Sequence, residues 1–325
     1  MPPIKTQLGR LPGVDELRVR HEMPDVLTMN DGTKVKTLEQ WKKRREEMKR
    51  TLAFYAVGQM PPPPGNVKGR EVKSKTVLDG KVKYRLVHLT FGPAEKLFLD
   101  IGIFTPTDGG PFPAVISQSG SPPGATPLPR LGPGPGQGRG LDVLLPVEII
   151  DALVATADAA RGGARAGAAA PLPATPGAAG STGGTGATPA AGGRGGRGGG
   201  GFGGPATAEA VATRNSEIFR RGYALVMFNN NACAEDTPLR SADGSWAFRT
   251  TRFYPAYPGY DWGILAGWAW GASRIADYLE TDPAIDKTRL IITGASRAGK
   301  SSMVAAAFDE RLMGAPVVTG GGGVG

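Results

Sequence analysis

The stretch Leu290-Ile291-Ile292-Thr293-Gly294-Ala295-Ser296-Arg297-Ala298-Gly299-Lys300-Ser301-Ser302 decides the reading of this chain. A short apolar run leads into a glycine, and small residues flank a serine before a helix-forming segment, Ala298–Phe308. That is the pattern of a buried strand turning sharply into a helix. Two motifs compete for it. In a nucleophile elbow, small residues let strand and helix approach closely while a serine is held at a strained bend. Gly294, Ala295, Ala298 and Gly299 meet that need, although the second glycine usually stands where Ala298 is. In a phosphate-binding P-loop, Gly294-x-x-x-x-Gly299-Lys300-Ser301 matches letter for letter. A P-loop strand comes early in its domain, whereas several elements precede this one. The next apolar run, Pro316-Val317-Val318-Thr319, lacks the acidic residue a nucleotide-bound magnesium needs, and Arg297 has no task in a phosphate cradle. The plain alternatives are an N-cap for Ser296 and solvated basic residues for Arg297 and Lys300. Yet cations at a helix N-terminus are unfavourable and need a reason.

Working outward, Ala315–Thr319 reads as a strand and Asp261–Leu279 as a long helix, apolar on more than one face and so well buried. Tyr223–Phe228 reads as a strand preceded by a helix over Glu209–Arg221. Residues 66–117 read as strands, with Val82–Leu89, Phe98–Phe104 and Ala114–Ser117 the clearest. Strands separated by helices predict a parallel sheet with its site at the strands' carboxyl ends. Thr37 to about Tyr55 reads as a helix opened by a Thr37/Gln40 capping box. Leu38, Trp41, Arg45, Met48 and Leu52 share one face of it, and Arg44 falls on the charged remainder. Pro61–Pro64 is a stiff connector. The expected division is an N-terminal arm and helix over 1–65 and a hydrolase-like domain over 66–325.

The 325 residues include 50 glycines and 29 prolines, and the glycines are enriched in a low-complexity insertion at about 155–208. That stretch has few side chains able to offset the entropy of ordering, which predicts disorder. The formal charge of +9 is spread along the chain and reads as a basic surface, with no nucleic-acid partner implied. The single cysteine, Cys233, excludes an internal disulfide. No apolar run is long enough for a membrane span, and no signal peptide is visible at Met1–Lys5. The chain stops at Gly325 within a glycine cluster, and the expectation is a fragment whose sheet is incomplete at the C-terminus.

Gly294-x-Ser296-Arg297-x-Gly299-Lys300 resembles the nucleophile motif of the glucuronoyl esterase family of carbohydrate esterases. Leu265–Glu280, Asn30–Trp41 with Arg44-Arg45, and Phe308–Arg311 are similar to segments of the same family. The resemblance implies an α/β-hydrolase fold: a three-layer sandwich around a mostly parallel sheet. It implies that Ser296 attacks the ester carbonyl of an esterified glucuronic acid, of the kind that joins glucuronoxylan to lignin alcohols. It implies that Arg297 holds the oxyanion through its N–H and guanidinium, and that Lys300 binds hydroxyls of the uronate ring. No cofactor or metal is implied, and secretion or a periplasmic location is expected. An acetyl ester or another carbohydrate ester is the alternative substrate. The triad order Ser, acid, His puts the base after Ser296. The two histidines, His21 and His88, both precede it, so the catalytic histidine is expected beyond Gly325. Some members carry the acid at the end of the strand after the elbow, where this chain has Val318 or Thr319, so the acid is expected downstream too. The loop Ser117–Gly124 is a weak candidate for a second oxyanion donor. Trp246, Trp262, Phe253, Tyr254, Tyr257 and Tyr260 read as core residues first and as a sugar-site lining second.

Overall fold

The structure, a computed structural model, describes residues 11–17, 19, 21–118, 120–128, 207–236 and 251–313. The expected strand at Ala315–Thr319, Trp246 and nearly all of the 155–208 insertion lie outside the described residues. The strands are β1 (Lys68–Val77), β2 (Val82–Phe91), β3 (Leu97–Pro106), β4 (Phe112–Ser117), β5 (Ala224–Phe228), β6 (Ile285–Thr293) and β7 (Leu312–Met313). They form one seven-stranded sheet in the order β1-β2-β3-β5-β4-β6-β7. The helices are α1 (Leu38–Leu52), α2 (Ala208–Arg214), α3 (Ser216–Arg220), α4 (Ile264–Leu279) and α5 (Arg297–Phe308).

The parallel expectation holds where helices intervene: β5, β4, β6 and β7 pair in parallel. It fails for β1–β3, an antiparallel meander that meets β5 antiparallel. The reason is local. Leu78, Asp79 and Gly80 take positive φ and Lys81 N–H donates to the Leu78 carbonyl, a turn far too short for a parallel crossover. Still, β2, β4, β5, β6 and β7 all run one way, so the sheet is mixed and mostly parallel.

β4 and β5 are buried at every position, as near-continuous apolar strands with both faces covered should be. One face packs α4, α5 and the Val57 region through Trp262, Trp270, Phe91 and Ile275. The other packs α2 and α3 through Val211, Ile218 and Phe219 against Tyr84 and Phe104. This is the three-layer sandwich expected. The edge strand β1 is exposed except at Val77, and its Lys68, Arg70, Lys73 and Lys75 discourage edge-to-edge pairing.

Several boundaries and faces differ from expectation. The helix expected over Glu209–Arg221 is two short helices broken at Asn215, and it begins earlier, with Thr207 capping α2 inside the stretch assigned to the insertion. α4 starts at Ile264 rather than Asp261, since Asp261 is spent on Gln59 N–H. The capping box on α1 forms as read. Trp41, Arg45, Met48 and Leu52 on its predicted face are half-buried as expected, but Leu38 is exposed and Arg44, placed on the solvated side, is buried. Arg44 donates to the Val26 carbonyl, Asn30 Oδ1 and Glu47 Oε2, so burial costs its charge little. Arg45 fastens α1 to the end of α5 through the Ala307 carbonyl and Glu310. The Trp270 indole donates to the Pro61 carbonyl at 2.8 Å, anchoring the proline run against α4.

At the far end of α5, Arg311 binds Asp309 at 2.7 Å and Asp277 and Glu280 at 2.8 Å. Burial pushes the Asp309 carboxyl up, but the hydrogen bonds and charge of Arg311 outweigh it, so the group lies below its ordinary 3.8. A depressed carboxylate contributes stability above its unfolded pKa and loses it as pH falls through the folded value. Arg311→Met is therefore expected to cost about 2 kcal/mol at pH 7. Urea melts should show that difference shrinking below pH ~4. A difference unchanged at pH ~2.5 would exclude the ion cluster as its source.

Candidate active site

β6 delivers the chain to the carboxyl edge of the sheet, where Thr293 pairs with Ser117 at the end of β4. Gly294, Ala295 and Ser296 make the bend, and α5 begins at Arg297. Ser296 takes φ 54° and ψ −122°, a region that glycine tolerates and other residues occupy at a cost of roughly 1–3 kcal/mol. Its side chain makes no capping hydrogen bond, so the N-cap reading does not describe it. Ser296 is exposed, at the positive end of α5.

The close approach is specified by glycine. A Cβ at Gly294 would lie 2.7 Å from the Ala298 carbonyl carbon and 2.8 Å from its Cβ and oxygen. The small residue at Ala298 thus does the packing work expected of the usual second glycine. The same geometry corrects the P-loop alternative. A phosphate cradle needs the backbone between the two glycines to be an open loop. Here Arg297 and Ala298, which lie between the two glycines, are already in α5, and Ala298 N–H donates to the Ala295 carbonyl.

Ser296, Arg297 and Lys300 are brought together by the first turn of α5, with Lys300 four residues after Ser296 and so on the same helical side. Lys300 is half-buried, and Arg297 is exposed. Arg297 Nη1 donates to Asp236 Oδ1 at 2.6 Å. Burial raises the Asp236 carboxyl above its ordinary value, Arg297 opposes that, and nearby Glu235 adds to it. Glu235 in turn holds Arg252 at 2.6 Å, both side chains being almost fully buried.

Asp236, Glu235 and Arg252 were not anticipated, nor was Gln118. Gln118 is buried at the end of β4 and donates through Nε2 to the Ala298 carbonyl and Ser302 Oγ, clamping the first turn of α5 to the sheet. The usable signal for Gln118 is position, directly after the carboxyl end of β4, the strand beside β6; Asp236 follows β5, one strand further over, and carries no such signal. In the loop Ser117–Gly124, Gln118 N–H donates to the Thr293 carbonyl, while Ser119 lies outside the described residues.

His88 is not brought to Ser296. His88 is on β2, which β3, β5 and β4 separate from β6, a lateral offset of roughly 19 Å at about 4.8 Å per strand. Its Nδ1 is 2.6 Å from Asp100 Oδ1. His21 is exposed in the N-terminal segment. Phe253, Tyr254 and Trp262 are buried in the core, and Tyr257 and Tyr260 pack on it half-buried, as core residues should. Cys233 is buried, which pushes its thiol well above the ordinary range and keeps it protonated. No group of three or more His, Cys, Asp or Glu placed to hold a metal occurs among the described residues.

Residues 203–325 match the family described as "Glucuronyl esterase, fungi". The 4-O-methyl-glucuronoyl methylesterase of Hypocrea jecorina is 38% identical over 106 residues, which is 31% of this chain and 22% of that protein. A multidomain esterase of Ruminococcus flavefaciens is 35% identical over 127 residues, covering 36% of this chain and 15% of its own. The sequence matches thus span about a fifth of these relatives' length. In fold, the chain is similar to a glucuronoyl esterase from Solibacter usitatus, with TM-score 0.56 and 21% identity over 90% of this chain and 62% of that one. It is also similar to a glucuronoyl esterase from Teredinibacter turnerae, with TM-score 0.52 and 18% identity over 89% and 54% of the two chains. Residues 203–325 are thus similar to the glucuronoyl esterases, and the described chain shares the α/β-hydrolase fold of the solved structures it resembles.

Proposed function

We propose that this chain carries the nucleophile of a serine-type carboxylic ester hydrolase acting on esters of glucuronic acid, such as those between glucuronoxylan and lignin alcohols. The observation that carries the reading is Ser296 held at positive φ and exposed, its side chain making no capping hydrogen bond, with Arg297 and Lys300 in the first turn of α5 that follows it. In this reading Ser296 Oγ attacks the ester carbonyl carbon while an imidazole takes its proton. The carbonyl electron pair moves onto oxygen, where the Arg297 N–H and guanidinium meet the new charge. One such donor is worth roughly 3 kcal/mol. The bond to the alcohol breaks, the alcohol leaves with the proton, and water repeats the sequence to free the uronic acid and Ser296. Lys300 binds ring hydroxyls, which an acetyl ester presents differently. We also propose secretion or a periplasmic location, where such polymers are met. No helix among the described residues is long and apolar enough to cross a membrane.

Side-by-side rates on a methyl glucuronate ester and an acetylated sugar test the substrate. The uronate ester should be preferred, and Lys300→Ala should raise its KM about tenfold or more, the worth of a hydrogen bond to a charged group. Equal rates on both esters, with KM unmoved by Lys300→Ala, would redirect the reading to a general carbohydrate esterase.

A further inference from the structure

We infer that Asp236 is a positioning residue for the ester reaction: its carboxylate holds the Arg297 guanidinium ready beside Ser296. The inference rests on the hydrolase reading above. An arginine side chain carries about 2 kcal/mol of rotamer entropy, and Arg297 is 64% exposed, with little packing to confine it. A cation that must swing into place as charge develops gives up much of its value, because an oxyanion is best met by donors fixed beforehand. The 2.6 Å contact from Arg297 Nη1 to Asp236 Oδ1 supplies that fixing. It takes one hydrogen of a five-donor fork, so it sets the plane of the guanidinium without using up its donors.

Asp236 is itself fixed from behind. Its backbone N–H donates to Asn231 Oδ1 at 3.0 Å, and Asn231 N–H donates to Asn229 Oδ1 at 3.0 Å. Asn229 Nδ2 reaches Ser121 Oγ at 2.9 Å, tying the segment after β5 to the segment after β4. The neighbouring Glu235 is locked to Arg252 through two hydrogen bonds of 2.6 and 2.9 Å. The carboxylate therefore stands on a braced segment, while the arginine it holds stands on the elbow.

The test is a set of single and double variants of the full protein on a methyl glucuronate ester, with kcat and KM separated. Asp236→Ala should lower kcat about tenfold with KM nearly unchanged, as loss of orientation does. Asp236→Asn keeps an acceptor oxygen in the same place and should recover most of the rate. In an Arg297→Ala background, Asp236→Ala should change almost nothing, because the two residues act as one unit. Asp236→Ser, as small and more tolerant of the turn, stands in if the alanine variant does not fold. An equal fall in both backgrounds would make Asp236 merely structural, and a faster Asp236→Ala enzyme would make the pair a brake. Either overturns the inference. A parent lacking Ser296-dependent hydrolysis overturns the function and the inference together. A Ser296-dependent parent whose Asp236→Ala variant keeps the parental rate overturns the inference alone.

Discussion

Ser296→Ala is expected to remove uronate-ester hydrolysis, lowering kcat on the order of a million-fold while leaving KM and thermal stability nearly where they were. On the proposed reading the rate falls that far because the hydroxyl that forms the acyl intermediate is gone. What remains is the catalysis that a fixed oxyanion site provides by itself. Stability holds because alanine keeps the Cβ, and the backbone strain at φ 54° and ψ −122° belongs to any residue with a Cβ. Ser296→Gly should be equally inactive yet behave differently on heating. Glycine occupies this region freely, so relief of roughly 1–3 kcal/mol of strain is set against about 0.5–1 kcal/mol of added chain entropy in the unfolded state. The glycine variant should melt above both parent and alanine variant. If it melts below them, the bend is not strained, and the case for a held nucleophile loses its physical basis. If the alanine variant retains the parental rate, Ser296 is not the nucleophile.

The bend was legible because it is local. A dozen consecutive residues carry the strand, the small residues, the serine and the helix, and each part agrees with the others. The P-loop spacing was equally legible and misleading, because letters at fixed intervals do not say where the helix starts. Here it starts at Arg297, ahead of the second glycine. Asp236 was not legible for the opposite reason: it reaches Arg297 from 61 residues away, and nothing in its own neighbourhood of Ala234-Glu235-Asp236 marks it. Arg44 was misread for a third reason. Within a run of charges every side chain looks solvated, and only the returning segment at Val26 and Asn30 buries one of them. The meander β1–β3 was hidden by a rule that is sound for βαβ units and silent on hairpins. What sequence patterns convey well is contact within one element and its caps. What they convey poorly is contact between loops that only the sheet order brings together.

Gly294 provides the second large effect, and it separates packing from chemistry. Gly294→Val is expected to destabilise the fold by roughly 1–3 kcal/mol, the usual cost of overpacking. It should also lower kcat by on the order of a hundredfold even at temperatures where the variant is fully folded. The first effect follows from the Cβ, which would lie within 2.8 Å of three Ala298 atoms. The second follows because those atoms belong to the first turn of α5. Relieving the clash lifts that turn off β6, and with it the Arg297 N–H and the Lys300 side chain, while Ser296 stays at the bend. A displacement near 1 Å is enough to cost about two orders of magnitude in a preorganised site. Gln118 resists the movement, since its Nε2 bonds to the Ala298 carbonyl at 3.1 Å and to Ser302 Oγ at 2.8 Å are made to the same turn. The strain should therefore be shared between α5 and the end of β4. Adding Ala298→Gly to Gly294→Val removes one of the three offending atoms, the Cβ, but leaves the carbonyl carbon and oxygen in place. Rescue should accordingly be slight in both melting temperature and kcat. Full rescue by Ala298→Gly would mean that side-chain contact alone sets the strand–helix distance, and that the backbone approach at Gly294 is not what holds Ser296 in position.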